Sequence, residues 1–111
     1  MEVRFSSHRL QKLVESEREI IRKFGDKQGK RIAQRLSELR ALRTLADADR
    51  VPHLGLHQLS GDRDEQFALT LIQPHRLIFT IANDPVPRLP DGGVDRGAVT
   101  AVTVTEVVDY H

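Results

Sequence analysis

At 111 residues the chain is sized for one domain, and its 39% apolar and 30% charged side chains are the proportions of a soluble globular protein. It contains no cysteine, which excludes disulfides, iron–sulfur clusters, thiolate nucleophiles and cysteine-based zinc sites together, and a reducing cytoplasm is the expected location. Net charge is only +1 but unevenly spread: residues 1–50 hold thirteen basic against eight acidic side chains, residues 51–111 four against eight. The charge-free stretch Gln66–His75 is about half of what a membrane span needs, and Arg4 and Arg9 flank no apolar run that would make a secretory leader.

Glu2–Phe5 reads as a short strand, with Val3 and Phe5 on one side. Ser6 or Ser7 can cap a helix running to about Phe24, because Leu10, Leu13, Val14, Ile20, Ile21 and Phe24 fall on one stripe at helical spacing. Gly25 stops this helix, and Asp26 is placed to cap a second one. Ile32, Leu36 and Leu39 form the second stripe, while Lys27, Lys30, Arg31, Arg35, Arg40 and Arg43 make it the most basic element. So short a link predicts an antiparallel helical hairpin. Pro52 ends helical character, and the pattern then switches to period two. Strands are expected at Leu54–Leu59, Gln66–Ile72 and Arg76–Ala82, with a turn at Ser60, Gly61 and Asp62. Three prolines and three glycines make residues 83–97 an irregular loop, of a length that is commonly functional or disordered. The β-branched run from Ala98 to His111 closes the sheet as a long strand. The expected fold is α+β: one domain, residues 1–111, with a mainly antiparallel β-sheet and an N-terminal helical hairpin packed on one face.

His8, His53 and His75 read as structural surface residues. His57 differs, because it alternates with Leu56 and Gln58 inside a strand and so projects from a sheet face. The closing Asp109, Tyr110 and His111 put three proton-handling groups in succession at a strand end. Period two places Asp109 and His111 on one face and Tyr110 on the other, unless Val107–Val108 marks a bulge, which the change of apolar pattern near Glu106 favours. Arg76 opens the neighbouring strand and reaches the same face. A histidine pair with an arginine suits cleavage of RNA by its own 2′-hydroxyl: one group removes that proton, another protonates the leaving 5′-oxygen, and a cation stabilises the phosphorane. Such chemistry needs no metal, and no metal cluster or other cofactor is expected from these residues.

With these residues in view the chain resembles a HigB-type toxin of the RelE/ParE toxin–antitoxin superfamily. The similarity runs through the strand–helix–helix opening, LHQLSGD, RLIFTI and above all the closing EVVDYH. It implies a RelE-like, microbial-ribonuclease-like fold, ribosome-dependent cleavage of mRNA and neutralisation by a helix-turn-helix, HigA-like antitoxin. On the matching positions it implies His57, Arg76, Asp109, Tyr110 and His111 as the catalytic set. Asp109 or His57 would act as base, His111 as acid, Tyr110 would orient the nucleotide and Arg76 would bind phosphate. Ser60 stands where the family commonly has a lysine, and Arg63 is the nearest cation that could replace it. Lys30, Arg31 and Arg35 are further candidates for phosphate contact. Related members that inhibit DNA gyrase, or a degenerate toxin acting only as antitoxin-binding co-repressor, are the alternatives.

Overall fold

The computed structural model describes residues 1–109; Tyr110 and His111 lie outside the described residues. Five strands form one sheet: β1 (Glu2–Phe5), β2 (His57–Gln58), β3 (Gln66–Thr70), β4 (His75–Ile81) and β5 (Ala101–Asp109), in the order β1-β5-β4-β3-β2. Between β1 and β2 lie α1 (His8–Glu15), α2 (Glu17–Phe24) and α3 (Asp26–Ala41), followed by short 3-10 turns. The fold is α+β, as expected, but the sheet is mixed rather than mainly antiparallel, because β1 runs parallel to β5. The other three pairs are antiparallel. No hairpin joins β1 to β5, so local turn chemistry does not set their relative direction, and alternation alone carries no direction.

The expected first helix is two helices. Ser16 adopts an extended conformation (φ −99°, ψ 113°), and its hydroxyl accepts from the Glu19 amide at 3.2 Å, capping α2. Gly25 then takes the left-handed φ of 87° between α2 and α3, so Asp26 is the first residue of α3 and not its cap. The strand expected at Leu54–Leu59 is also shorter. Residues Pro52–Leu54 form a 3-10 turn with proline at its start, Gly55 is left-handed, and only His57–Gln58 pair as a strand.

The core lies between the helices and one face of the sheet. Val14, Ile20, Ile32, Leu36 and Leu39 meet Phe67, Leu69, Leu71, Leu77, Phe79, Val102 and Val104. Phe67 and Phe79 are register partners on β3 and β4, with rings stacked at 5.6 Å between centroids. Each such buried ring is worth roughly 1.5–3 kcal/mol. The long 83–97 segment is built into this core and is not a free excursion. Val86 and Val94 pack in it, the Asn83 side chain bonds the Thr100 and Ala101 amides, and Arg88 pairs with Glu65.

In β5 the alternation slips once. Ile78 pairs with Glu106 but Phe79 with Val104, which leaves Thr105 as a bulged extra residue. Its hydroxyl donates to the Ile78 carbonyl at 3.3 Å, and its own carbonyl accepts from the Ser6 hydroxyl at 3.4 Å. Polar groups released by the bulge therefore find partners.

Two buried polar side chains on α3 fasten the helices to the sheet. The Gln28 amide both donates to the Ile72 carbonyl and accepts from the Ile72 amide, each at 3.0 Å. Arg35, only 3% exposed, donates to the carbonyls of Thr70 (2.8 Å) and His53 (3.1 Å) and to the Glu38 carboxylate (2.8 Å). This corrects the reading of Arg35 as a phosphate contact: its guanidinium is spent inside the fold. Glu38 also meets the His53 ring. Burial works to raise the Glu38 pKa, but hydrogen bonds from His53 and Arg35, with their charge, outweigh it and hold the carboxyl below its ordinary range.

Arg35→Ala strands two carbonyls and a carboxylate, so a loss of about 3 kcal/mol is expected in urea unfolding. A carboxyl whose folded pKa is depressed contributes stability that is complete above its unfolded value, near 4.5 for glutamate, and is lost as pH falls through the folded value. Glu38→Gln is therefore expected to lower stability near neutrality and to flatten the fall in stability below about pH 4.5, read from unfolding midpoints across that window.

Candidate active site

The face of the sheet turned away from the helices carries a second, smaller cluster: Leu59, Ala68 and Ile78, with Val108 against it. No helix residue belongs to it, so its burial depends on the polar side chains around it. Register fixes who those neighbours are. His57 pairs with Ala68, Ala68 with Ile78, and Ile78 with Glu106, so these four stand in one row on one face. In the adjacent row Thr70 pairs with Arg76 and Arg76 with Val108.

His57 is exposed on the short edge strand β2. Gly55 explains how the chain reaches that position. At φ 61°, a Cβ there would lie 2.1 Å from the Thr70 hydroxyl, so only glycine allows the turn to press against β3 before His57 is presented. Arg76 is half-buried, with Nη1 3.4 Å from the same Thr70 hydroxyl. Arg63 follows the Ser60–Asp62 turn and reaches across the face. Its Nη1 donates to Gln66 on β3 at 2.9 Å and to Glu106 on β5 at 2.5 Å. The guanidinium therefore bridges over β4, and its stem helps to cover the apolar floor.

The structure thus brings His57, Arg63 and Arg76 onto one face. Ser60 is exposed at the start of the turn that delivers Arg63. Asp109 is not brought with them. It pairs with His75, and after the bulge it shares the side of Leu77 and Val107, which is the helix side. Lys30 and Arg31 sit on α3, in the helical layer, and Lys30 is exposed and paired with Asp26 at 3.2 Å. The two residues cannot share a phosphate with His57 across the sheet. Tyr110 and His111, the remaining candidates, are outside the described residues.

One group on this face is absent from the candidate site residues that the sequence supplies: Glu106. The signal was present, since it is the sole charged residue between Ala98 and Val108. A carboxylate in the middle of a β-branched strand marks a face that is not packed. Among the described residues no group of three or more His, Asp or Glu is placed to hold a metal ion, and no helix is long and apolar enough to cross a membrane.

No protein-family model matches the chain, and neither a curated protein nor a solved structure matches it significantly.

The Arg63–Glu106 pair is partly exposed, at 30% and 42% of the two side chains, so solvent screens it. A double-mutant cycle with Arg63→Ala and Glu106→Ala, read by urea unfolding, is expected to give a coupling below about 1 kcal/mol.

Proposed function

We propose that this chain is a toxin of a type II toxin–antitoxin system, a HigB-like, ribosome-dependent mRNA endoribonuclease on a RelE-like fold. The observation that carries the reading is the shared face of His57, Arg63 and Arg76, opposite the helices. Arg76 lies beside Val108, where the sequence continues into Asp109, Tyr110 and His111. A proton-transfer imidazole, two guanidinium groups and a shallow apolar floor suit an RNA backbone whose 2′-hydroxyl attacks its own phosphate. With few aromatic side chains in the chain, RNA is held through phosphate and shape, and the ribosome presents the message. A HigA-like helix-turn-helix antitoxin is the expected partner, and the cytoplasm the expected location.

A second reading has one specific support. Arg63, the nearest cation to the missing lysine, is already neutralised by Glu106. That suits a non-catalytic member, either an inhibitor of DNA gyrase or a co-repressor bound to its antitoxin.

Controlled expression separates the two. Wild type is expected to arrest growth and to create new mRNA ends inside translated codons. His57→Ala and Arg76→Ala are each expected to reduce cleavage by about 10²-fold or more while the protein stays folded by circular dichroism. Arrest without new mRNA ends, or arrest untouched by both substitutions, would remove the nuclease reading.

A further inference from the structure

The geometry points to Glu106 as the general base of the proposed cleavage, with Arg63 as the cation beside it. This assignment rests on the nuclease reading and deepens it. Three observations meet at Glu106. It stands in the same cross-strand row and on the same face as His57. Its carboxylate is partly open to solvent, at 42% of the side chain, so a substrate hydroxyl can approach it. And it is already hydrogen-bonded to a guanidinium that crosses the centre of that face.

The row sets a workable span. From β2 to β5 is three strand spacings, about 14 Å between backbones. Two side chains leaning inward from its ends leave room between them for one phosphodiester group, with a hydrogen bond on either side. Glu106 at one end faces the 2′-oxygen, and His57 at the other faces the leaving 5′-oxygen. Arg63, bonded to Gln66 on β3 and to Glu106 on β5, lies over the strands between them, where negative charge builds on the non-bridging oxygens.

The step balances with these groups alone. The 2′-hydroxyl proton passes to a Glu106 oxygen as O2′ bonds to phosphorus. The P–O5′ bond breaks, and the 5′-oxygen takes a proton from protonated His57. The products are a 2′,3′-cyclic phosphate and a 5′-hydroxyl, and proton return through water restores both side chains. No oxidant, reductant or co-substrate enters.

The Arg63 contact also separates a chemical role from a structural one. A glutamine at 106 keeps an oxygen that accepts from Arg63 but cannot take a proton. The test is cleavage of a ribosome-bound mRNA by purified wild type, Glu106→Gln and Glu106→Asp, across pH, with ribosome binding measured by co-sedimentation. Glu106→Gln is expected to bind ribosomes as wild type does and to cleave about 10² to 10⁴ times more slowly. Glu106→Asp, which keeps the carboxylate, is expected to recover part of the rate. Wild-type cleavage matched by Glu106→Gln would overturn the assignment while leaving the nuclease reading intact. Ribosome binding by wild type with no cleavage at any pH would overturn that reading, and this inference with it.

Discussion

The buried guanidinium of Arg35 is the constraint on which the arrangement of the two layers depends. It reaches from α3 to the Thr70 carbonyl at the end of β3 and to the His53 carbonyl in the turn before β2. Those two residues bracket the segment that contains His57, the Ser60 turn and Arg63. The strand β2 has only two residues and would not hold its own register. It is positioned instead from outside: by Arg35 at His53, by the fully buried Leu54, by Gly55 against Thr70, and by Leu59 in the floor of the open face. A polar contact on the helix side of the sheet therefore sets the position of an exposed histidine on the other side. Leaving any of its partners unmet in that setting costs more than the contact itself contributes, which makes the arrangement an all-or-none one.

Much of this fold was legible in the sequence, where periodicity was long and consistent. Phe67, Leu69 and Leu71, then Leu77 and Phe79, alternate as a sheet facing a core requires, and they do so in the structure. The break at Ser16 is hidden in the sequence because the apolar stripe continues past it from Val14 to Ile20. Ser16 and Glu19 nonetheless carry the serine-x-x-glutamate spacing of a helix start. By composition Arg35 belongs with the basic face of α3, although its spacing from Ile32 and Leu39 puts it on the buried stripe beside them. Composition identified it as a cation; position along the helix made it a structural one. The prolines and glycines of the 83–97 segment mark it as loop, which it is. Its valines, too widely spaced to show a period, are what join it to the core.

The site was legible in residue types and less so in sidedness, and the cause is one residue. Counted without interruption from Val102 and Val104, period two would turn Glu106 toward the helices and Asp109 toward His57. That arrangement would bury a carboxylate among apolar side chains with no partner, a cost of several kcal/mol on the usual scales. Inserting Thr105 as a bulge avoids it. Glu106 moves to the open face, where Arg63 meets it, and Val107 moves to the core. The hydroxyls of Thr105 and Ser6 bond the carbonyls that the bulge displaces, so the slip leaves little polar penalty behind.

The same slip exchanges the two acids. With the bulge, the carboxylate that shares a face with His57 is Glu106, and Asp109 follows on the side of Leu77. A strand whose side-chain period is two has no intermediate setting: one extra residue reverses every position beyond it. The choice of acid facing His57 is thus tied to core packing, since the step that satisfies Val107 is the step that presents Glu106. Stability and the composition of the open face are decided together, at Thr105, and a residue inserted or removed between Val104 and Val107 would alter both at once.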